Sequence, residues 1–242
     1  MRALLLIADI TGYTQYMRLH RLSIVHAQEN TGRLLEAVID SVPRLELSGL
    51  EGDAAFLYVA EPEDEEVSRS LADVAATMHQ AFHAEQERMI GLSLCACDAC
   101  RQTGQLRVKL VAHLGDVAVQ TIRGHSTLAG VDVILVHRML KNSVPVSEYV
   151  LMTEPVFRRC EPELGAHAVA IEEELEGLGA QVLHYVDIEE IAGRQPEPPC
   201  ATWPQRLGYT TSLVVRTLPA VAGLKHGRGL ARPDAEAEPG RE

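Results

Sequence analysis

The chain has 242 residues, 46% of them hydrophobic but only 4% aromatic, and a net charge of −12 from 22 basic and 34 acidic side chains. That length and apolar content suffice for a sizeable, mostly aliphatic core, and so acidic a chain disfavours binding to nucleic acid or to an anionic membrane. A polyphosphate ligand would need metal ions or a local basic group to offset the repulsion, and no apolar run approaches the ~18 residues of a membrane-spanning helix.

Ala3 to Ala8 is continuously apolar and ends in Asp9, ahead of Thr11-Gly12. This reads as a buried strand and a turn; the run is too short for a secretory leader, and no cleavage-like site follows. Residues 13–42 carry helical spacing, clearest at Leu34, Leu35, Val38, Ile39 and Val42. Leu45 to Leu50 and Ala54 to Ala60 are predicted strands around a hairpin turn at Glu51-Gly52-Asp53. From Pro62 a long helix follows, with Val67, Leu71, Val74, Met78 and Phe82 on one face.

Residues 93–105 read as a cysteine-bearing loop. Val108 to His113 and Val117 to Ile122 form a second predicted hairpin around Leu114-Gly115-Asp116, and Ser126 or Thr127 caps a helix running to about Lys141. A strand at Tyr149 to Met152, a short helix at Glu154 to Arg159, and strands at Ala168 to Glu172 and Gln181 to Ile188 complete the regular part. Residues 1–190 are therefore expected to form one domain. Residues 191–242, rich in proline and charge, are expected to form a partly disordered extension, with one more helix over Leu207 to Leu224. A strand, then helices, then a hairpin predicts a ferredoxin-like α+β fold with a mainly antiparallel sheet. Five cysteines, odd in number and with three clustered, argue against a disulfide framework and for a reducing, cytoplasmic location.

Two aspartates carry the chemistry. Asp9 closes an apolar strand, where a lone charge is costly unless paired. Asp53 follows Gly52 in the predicted hairpin turn. If the hairpin lies beside the first strand, both carboxylates reach one point and repel unless cations sit between them, as Mg²⁺ does when held by one or two carboxylates and substrate phosphates. Other readings stay open. Asp9 can cap the turn at Thr11-Gly12, and Asp53 can be an ordinary turn residue. A dehalogenase-type phosphatase needs a second Asp where Thr11 stands, and a receiver domain ends a parallel strand on its phosphoacceptor, whereas Asp53 begins one.

Ala8-Asp9-Ile10-Thr11-Gly12-Tyr13-Thr14 resembles the opening motif of class III adenylyl/guanylyl cyclases. Glu51-Gly52-Asp53-Ala54 and Ala112-His113-Leu114-Gly115-Asp116-Val117 resemble that family's two hairpins. Gly130 to Leu140 resembles its dimer-interface helix, and Glu176-Gly177-Leu178 with Gln181 to Val186 its closing strands. The likeness runs in order over residues 3–188. Cys95-Ala-Cys97-Asp-Ala-Cys100 and His137-Arg138-Met139-Leu140-Lys141-Asn142 are similar to a cyclase-like subfamily of unknown function.

The resemblance implies Mg²⁺ or Mn²⁺ on Asp9, Asp53 and the Ile10 backbone, with phosphate held by the backbone of Thr11, Gly12, Tyr13 and Thr14. It also implies a homodimer in which Arg138 reaches the partner's site and acts on a purine nucleoside triphosphate, giving a 3′,5′-cyclic nucleotide and pyrophosphate. Departures fall on the other half of the site. Ile134 stands where the family orients ribose with Asn, Gly49 where adenine-reading members have Lys, and Thr127 near the acidic partner of that Lys. The alternative is a degenerate homologue that senses nucleotide, or a zinc-stapled interaction domain.

Arg138 follows Val131, Ile134 and Leu135 on one helix face, so it is either a snorkelling or ion-paired side chain or a cation aimed at phosphate. Cys95, Cys97 and Cys100 offer three of the four ligands of a structural Zn²⁺. The fourth is expected from Cys160, His79, His83 or a partner chain; the alternative is idle reduced thiols. His113, His125 and His137 belong to the nucleotide site or to packing.

Overall fold

The run Ala3 to Ala8 lies in the middle of a seven-stranded sheet of order β2-β3-β1-β4-β7-β9-β8. Residues 1–19, 24–123, 125–193 and 201–221 are described by this computed structural model. In chain order the elements are β1 (Arg2–Thr11), α1 (Tyr13–Leu19), α2 (Ile24–Asp40), β2 (Glu46–Glu51), β3 (Ala54–Ala60), α3 (Glu63–Arg69), α4 (Leu71–Leu92) and α5 (Asp98–Gln102). There follow β4 (Arg107–Asp116), β5 (Ala118–Ile122), β6 (His125–Ala129), α6 (Val131–Arg138), β7 (Tyr149–Thr153) and α7 (Glu154–Phe157). The last are α8 (Pro162–His167), β8 (Val169–Leu175), β9 (Gly179–Asp187), α9 (Ile188–Ile191) and α10 (Trp203–Val221). Every pairing in the large sheet is antiparallel except β4 with β7. The α+β, mainly antiparallel fold expected from the sequence is the one observed.

A strand buried on both faces needs apolar residues at every position, and β1 supplies them. Leu4, Leu6, Ala8 and Ile10 join the core under α2 and α4, which contribute Leu34, Leu35, Val38, Met78 and Phe82. Ala3, Leu5 and Ile7 face the opposite way, where α6 and the segment after it close a second core through Val136 and Met139. Alternation then puts Asp9 on this second, thinner side.

Several elements depart from the sequence reading. The predicted helix over 13–42 is two helices, with residues 20–23 outside the described set. The helix from Pro62 is broken at Ser70, whose backbone (φ −90°, ψ 27°) leaves the helical region between α3 and α4. The predicted hairpin around Leu114-Gly115-Asp116 is not formed: β4 runs straight to Asp116 beside β1, from Arg2↔Asp116 to Thr11↔Arg107. Gly115 permits this because a Cβ there would lie 2.4 Å from Asp132 of α6, so a bare backbone is what lets α6 sit on β4. The turn comes later, and β5 pairs with β6 as a separate ribbon. Ser126 and Thr127 therefore pair with Thr121 and Gln120 instead of capping a helix, and α6 starts only after Gly130 (φ 146°).

The expected helix near Leu207 is α10, which begins earlier, at Trp203. The ring of its Tyr209 lies beneath the guanidinium groups of Arg33 and Arg88, and Thr210 accepts a hydrogen bond from Leu94 N. Residues 222–242, including the expected disordered end, lie outside the described residues. No described helix is long and apolar enough to cross a membrane.

Candidate functional site

Asp9 stands near the C-terminal end of β1, opposite Ala54 of β3 on one side and Lys109 of β4 on the other. The β2–β3 turn, made with Gly52 at φ +68°, brings Asp53 to the same end: Ile10 N donates to Asp53 O at 3.1 Å. The two carboxylates act on each other. Burial, and then the charge of Asp9, raise the Asp53 carboxyl to about 6, against a smaller lowering by Lys109. Lys109 Nζ lies 3.1 Å from Asp9 Oδ2 and donates to Leu140 O at 3.2 Å, so an ammonium is already fixed at the edge of the pair.

After Asp9 the chain leaves the sheet through Thr11 and Gly12 (φ +89°) into α1. Thr11 Oγ1 is buried with no hydrogen-bond partner among the described residues. Tyr13 is close enough to Asp53 that burial, and then that charge, raise its phenol. Thr14 is exposed. A triphosphate approaching this end of β1 would meet two acids, one tethered ammonium and a glycine turn. Asp9 and Asp53 fit a divalent cation by donor type: both are oxygen ligands, and burial and the Asp9 charge, which hold the Asp53 carboxyl at about 6, would be offset by a cation.

This has a pH signature. A carboxyl whose folded value is raised from 3.8 to about 6 stabilises the fold below pH 4, and that contribution is lost as pH rises through 6. Asp53→Asn removes the penalty. It should leave stability at pH 4 unchanged and raise it by about 1–2 kcal/mol at pH 8, the discount reflecting solvent screening. Urea denaturation at the two pH values checks this; equal effects at both would contradict it.

Arg138 ends α6 and is ion-paired with Glu176 in the β8–β9 turn. On the same helix face Val131 and Ile134 are 63% and 52% exposed, so the Arg138 side of α6 is an uncovered apolar patch. Leu128, three residues before Val131, lies in β6 and is buried. Gly49 sits at a register irregularity between β2 and β3, and Thr127 is exposed on the ribbon. His137 bonds Glu51 at 2.9 Å and packs edge-on against Phe56, tying α6 to β2 and β3. His113 is buried between Thr153 and Asp132, 3.0 and 3.2 Å away, and burial lowers its imidazole. The His125 side chain is outside the described set.

The cysteine loop gathers a second centre. Cys95, Cys97 and Cys100 place their sulfurs 3.6, 3.4 and 3.9 Å from Nδ1 of His26, near the start of α2, and the four ligand atoms lie within 4.8 Å of one another. The fourth member is thus none of those expected. Cys160 packs against Met152, 3.8 Å away, with its thiol pushed up to about 12 by burial, while His79 and His83 point to Glu148. Burial lowers the His26 imidazole, and burial with the neighbouring Cys97 and Cys95 pushes the Cys100 thiol up to about 12. Three thiols and an imidazole in one place fit a soft divalent ion that would relieve the crowding of thiolates. The loop is held from below: Asn30 donates to Thr103 Oγ1, Thr103 and Tyr16 hydroxyls donate to Ala99 O, and Gln86 Nε2 donates to Thr103 O and Leu106 O.

Sequence reasoning missed His26, Lys109 and Glu148. Lys109 alone had a local signal, a lysine in an otherwise apolar strand; the other two are brought in from far along the chain.

Residues 31–149 match a family described as a protein of unknown function (DUF2652). Over 156 residues, 64% of this chain and 72% of the other, the sequence is 41% identical to the uncharacterized protein Rv2561/Rv2562 of Mycobacterium tuberculosis. Among solved structures, the guanylyl cyclase Cya2 superposes with a TM-score of 0.60 at 16% identity, covering 77% of this chain and 91% of that one. A bacterial light-regulated adenylyl cyclase gives 0.58 at 14% identity, covering 88% of this chain but only 57% of the cyclase chain. At such identities the likeness is one of fold, and the fold is that of the nucleotide cyclases.

Proposed function

We propose that this chain, which belongs to the same family as the uncharacterized protein Rv2561/Rv2562, is a cytoplasmic homodimer on a divergent class III cyclase fold that binds a purine nucleoside triphosphate with a divalent cation, as a sensor rather than an efficient enzyme. The observation that carries this reading is the Asp9–Asp53–Lys109 cluster: two acids that need positive charge, beside an ammonium that supplies part of it. The cation, Mg²⁺ or Mn²⁺, would rest on Asp53 and Asp9 with the Ile10 backbone, and would neutralise the phosphates. Thr11, Gly12, Tyr13 and Thr14 would line the phosphates through the backbone. Lys109 takes part of the role that a second cation would have.

The base and ribose side supports binding without strong selection or turnover. Ile134 is exposed, and Gly49 has nothing within 4 Å of where a side chain would start. The exposed Val131 and Ile134 support a partner copy over α6. One feature favours a second reading, cyclisation with release of pyrophosphate: Arg138 shares that outward face, from which it would reach the partner's site on leaving Glu176. The cysteine cluster supports a structural Zn²⁺ on His26, Cys95, Cys97 and Cys100.

Titration of ATP and GTP in Mn²⁺ and in Mg²⁺, followed by product analysis, tests both readings. Saturable, metal-dependent binding is expected, with ATP and GTP within about tenfold of each other and lost in Asp53→Asn. A cyclic nucleotide product would establish the second reading. No binding at millimolar nucleotide would overturn both.

A further inference from the structure

Glu148 lies just before β7, 2% exposed, and its carboxylate is met by two imidazoles from α4: His83 Nε2 at 2.9 Å from Oε1, and His79 Nε2 at 3.4 Å from Oε2. The ligand atoms of the three lie within 4.8 Å of one another. The protons on these rings are constrained. Gln86 Nε2 donates to Thr103 O and Leu106 O, so its carbonyl Oε1 faces His83 Nδ1 at 3.0 Å. An amide oxygen only accepts, so His83 Nδ1 carries a hydrogen. A neutral His83 then turns a bare Nε2 lone pair on a carboxylate oxygen 2.9 Å away, which is repulsive unless a cation lies between them.

His79 raises the same question more sharply. Its side chain is 2% exposed, and neither ring nitrogen makes a hydrogen bond to a described residue, although Nε2 points at Glu148. A buried imidazole whose ring nitrogens lack hydrogen bonds costs on the order of 1–3 kcal/mol. Protonating both rings would bury two positive charges with ring centroids 4.4 Å apart, where Arg107 Nε already stands 3.7 Å from Oε2. One divalent ion satisfies both nitrogens and the carboxylate at once. Val108 N and Gln86 would orient the ligands from outside, as partners of metal ligands do.

We propose that His79, His83 and Glu148 form a second metal centre, a buried two-histidine, one-carboxylate site for a first-row transition ion such as Zn²⁺, separate from the thiolate cluster and from the Asp9–Asp53 pair. With no thiolate among its ligands the site is of borderline hardness, and its burial makes it structural, loaded as α4, β4 and β7 come together. It does not depend on the nucleotide reading.

The test is elemental analysis and Co²⁺ substitution of the full chain carrying Asp53→Asn, so that the carboxylate pair adds nothing to the count. About two equivalents of transition metal per chain are expected by the ligand-set logic of such sites. His79→Gln should lower this to about one and keep the intense thiolate–cobalt charge-transfer bands. Cys97→Ser should also leave about one, with those bands gone and only weak d–d absorption left. His79→Leu, similarly sized and with no hydrogen bond to lose, is the second variant should His79→Gln fold poorly. A single equivalent in the parent protein, wholly lost on Cys97→Ser, would overturn the proposal and leave an imidazolium–carboxylate pair in its place. Two equivalents surviving in both His79 variants would overturn it equally.

Discussion

Lys109→Gln should bind Mn²⁺ alone at least about tenfold more tightly than the parent protein, with Lys109→Arg near the parent value. The ammonium lies 3.1 Å from Asp9 Oδ2 and is held there by Leu140 O. At an effective dielectric of about 20 such a pair attracts by roughly 5 kcal/mol, most of which repays the desolvation of both ions. A metal ion competing for Asp9 works against that attraction, and the neutral amide removes it. Because Lys109 also lowers the Asp53 carboxyl, the same change should move Asp53 above its present value of about 6. Metal affinity would then be gained mainly above pH 7. Nucleotide affinity need not follow, since Lys109 also faces the phosphates in the proposed complex. Isothermal titration with Mn²⁺ reads the result directly; unchanged or weaker binding would show that the ammonium does not compete with metal.

The largest loss of stability is expected from Glu148→Ala. This one side chain accepts from Val108 N at 3.1 Å and faces His79, His83 and Arg107. Although burial pushes its carboxyl up, the two imidazoles and Val108 N outweigh that and hold it at about 2. Removing it strands a buried N–H, two imidazoles and the Arg107 guanidinium, the situation in which breaking a buried pair costs about 3–5 kcal/mol. It also cuts the link between the start of β4 and the residue before β7, where the only parallel pairing of the sheet begins. Denaturant unfolding should show that loss at pH 7. A change below about 1 kcal/mol would mean that the cluster contributes little to the fold.

The parts of this molecule that could be read from its sequence are those written in consecutive residues. Ala3 to Ala8 announces a strand buried on both faces, and it is one. The Gly52-Asp53 turn and the closing strands behaved likewise, because turn chemistry and strand alternation are local. Ser126 and Thr127 deceived because a short polar strand in a two-stranded ribbon has the composition of a helix cap. The β4 boundary was misjudged because the need for Gly115 comes from Asp132, a packing contact and not a turn.

The site follows the same division. Asp9 and Asp53 could be suspected from a strand-end acid and a turn acid. Lys109, His26 and Glu148 gain their meaning only from register and packing. A lysine opposite Asp9, a histidine 69 residues before Cys95, and a glutamate before β7 carry no spacing rule that would have joined them.

The register of β1 also bears on how the chain is made. β1 is made before both of its neighbours, and its longest partner, β4, ends at Asp116, paired with Arg2. Until more than a hundred residues have followed, this almost wholly apolar strand can pair only along its β3 edge, and the edge that β4 takes stands open. Synthesis at about 5–20 residues per second makes that interval several seconds long. Through it Ala3 to Ala8 is an unsatisfied template for other strands. A growing chain is therefore exposed to misassociation at this segment, and shielding of Arg2 to Thr11 during synthesis would protect the assembly of the whole sheet.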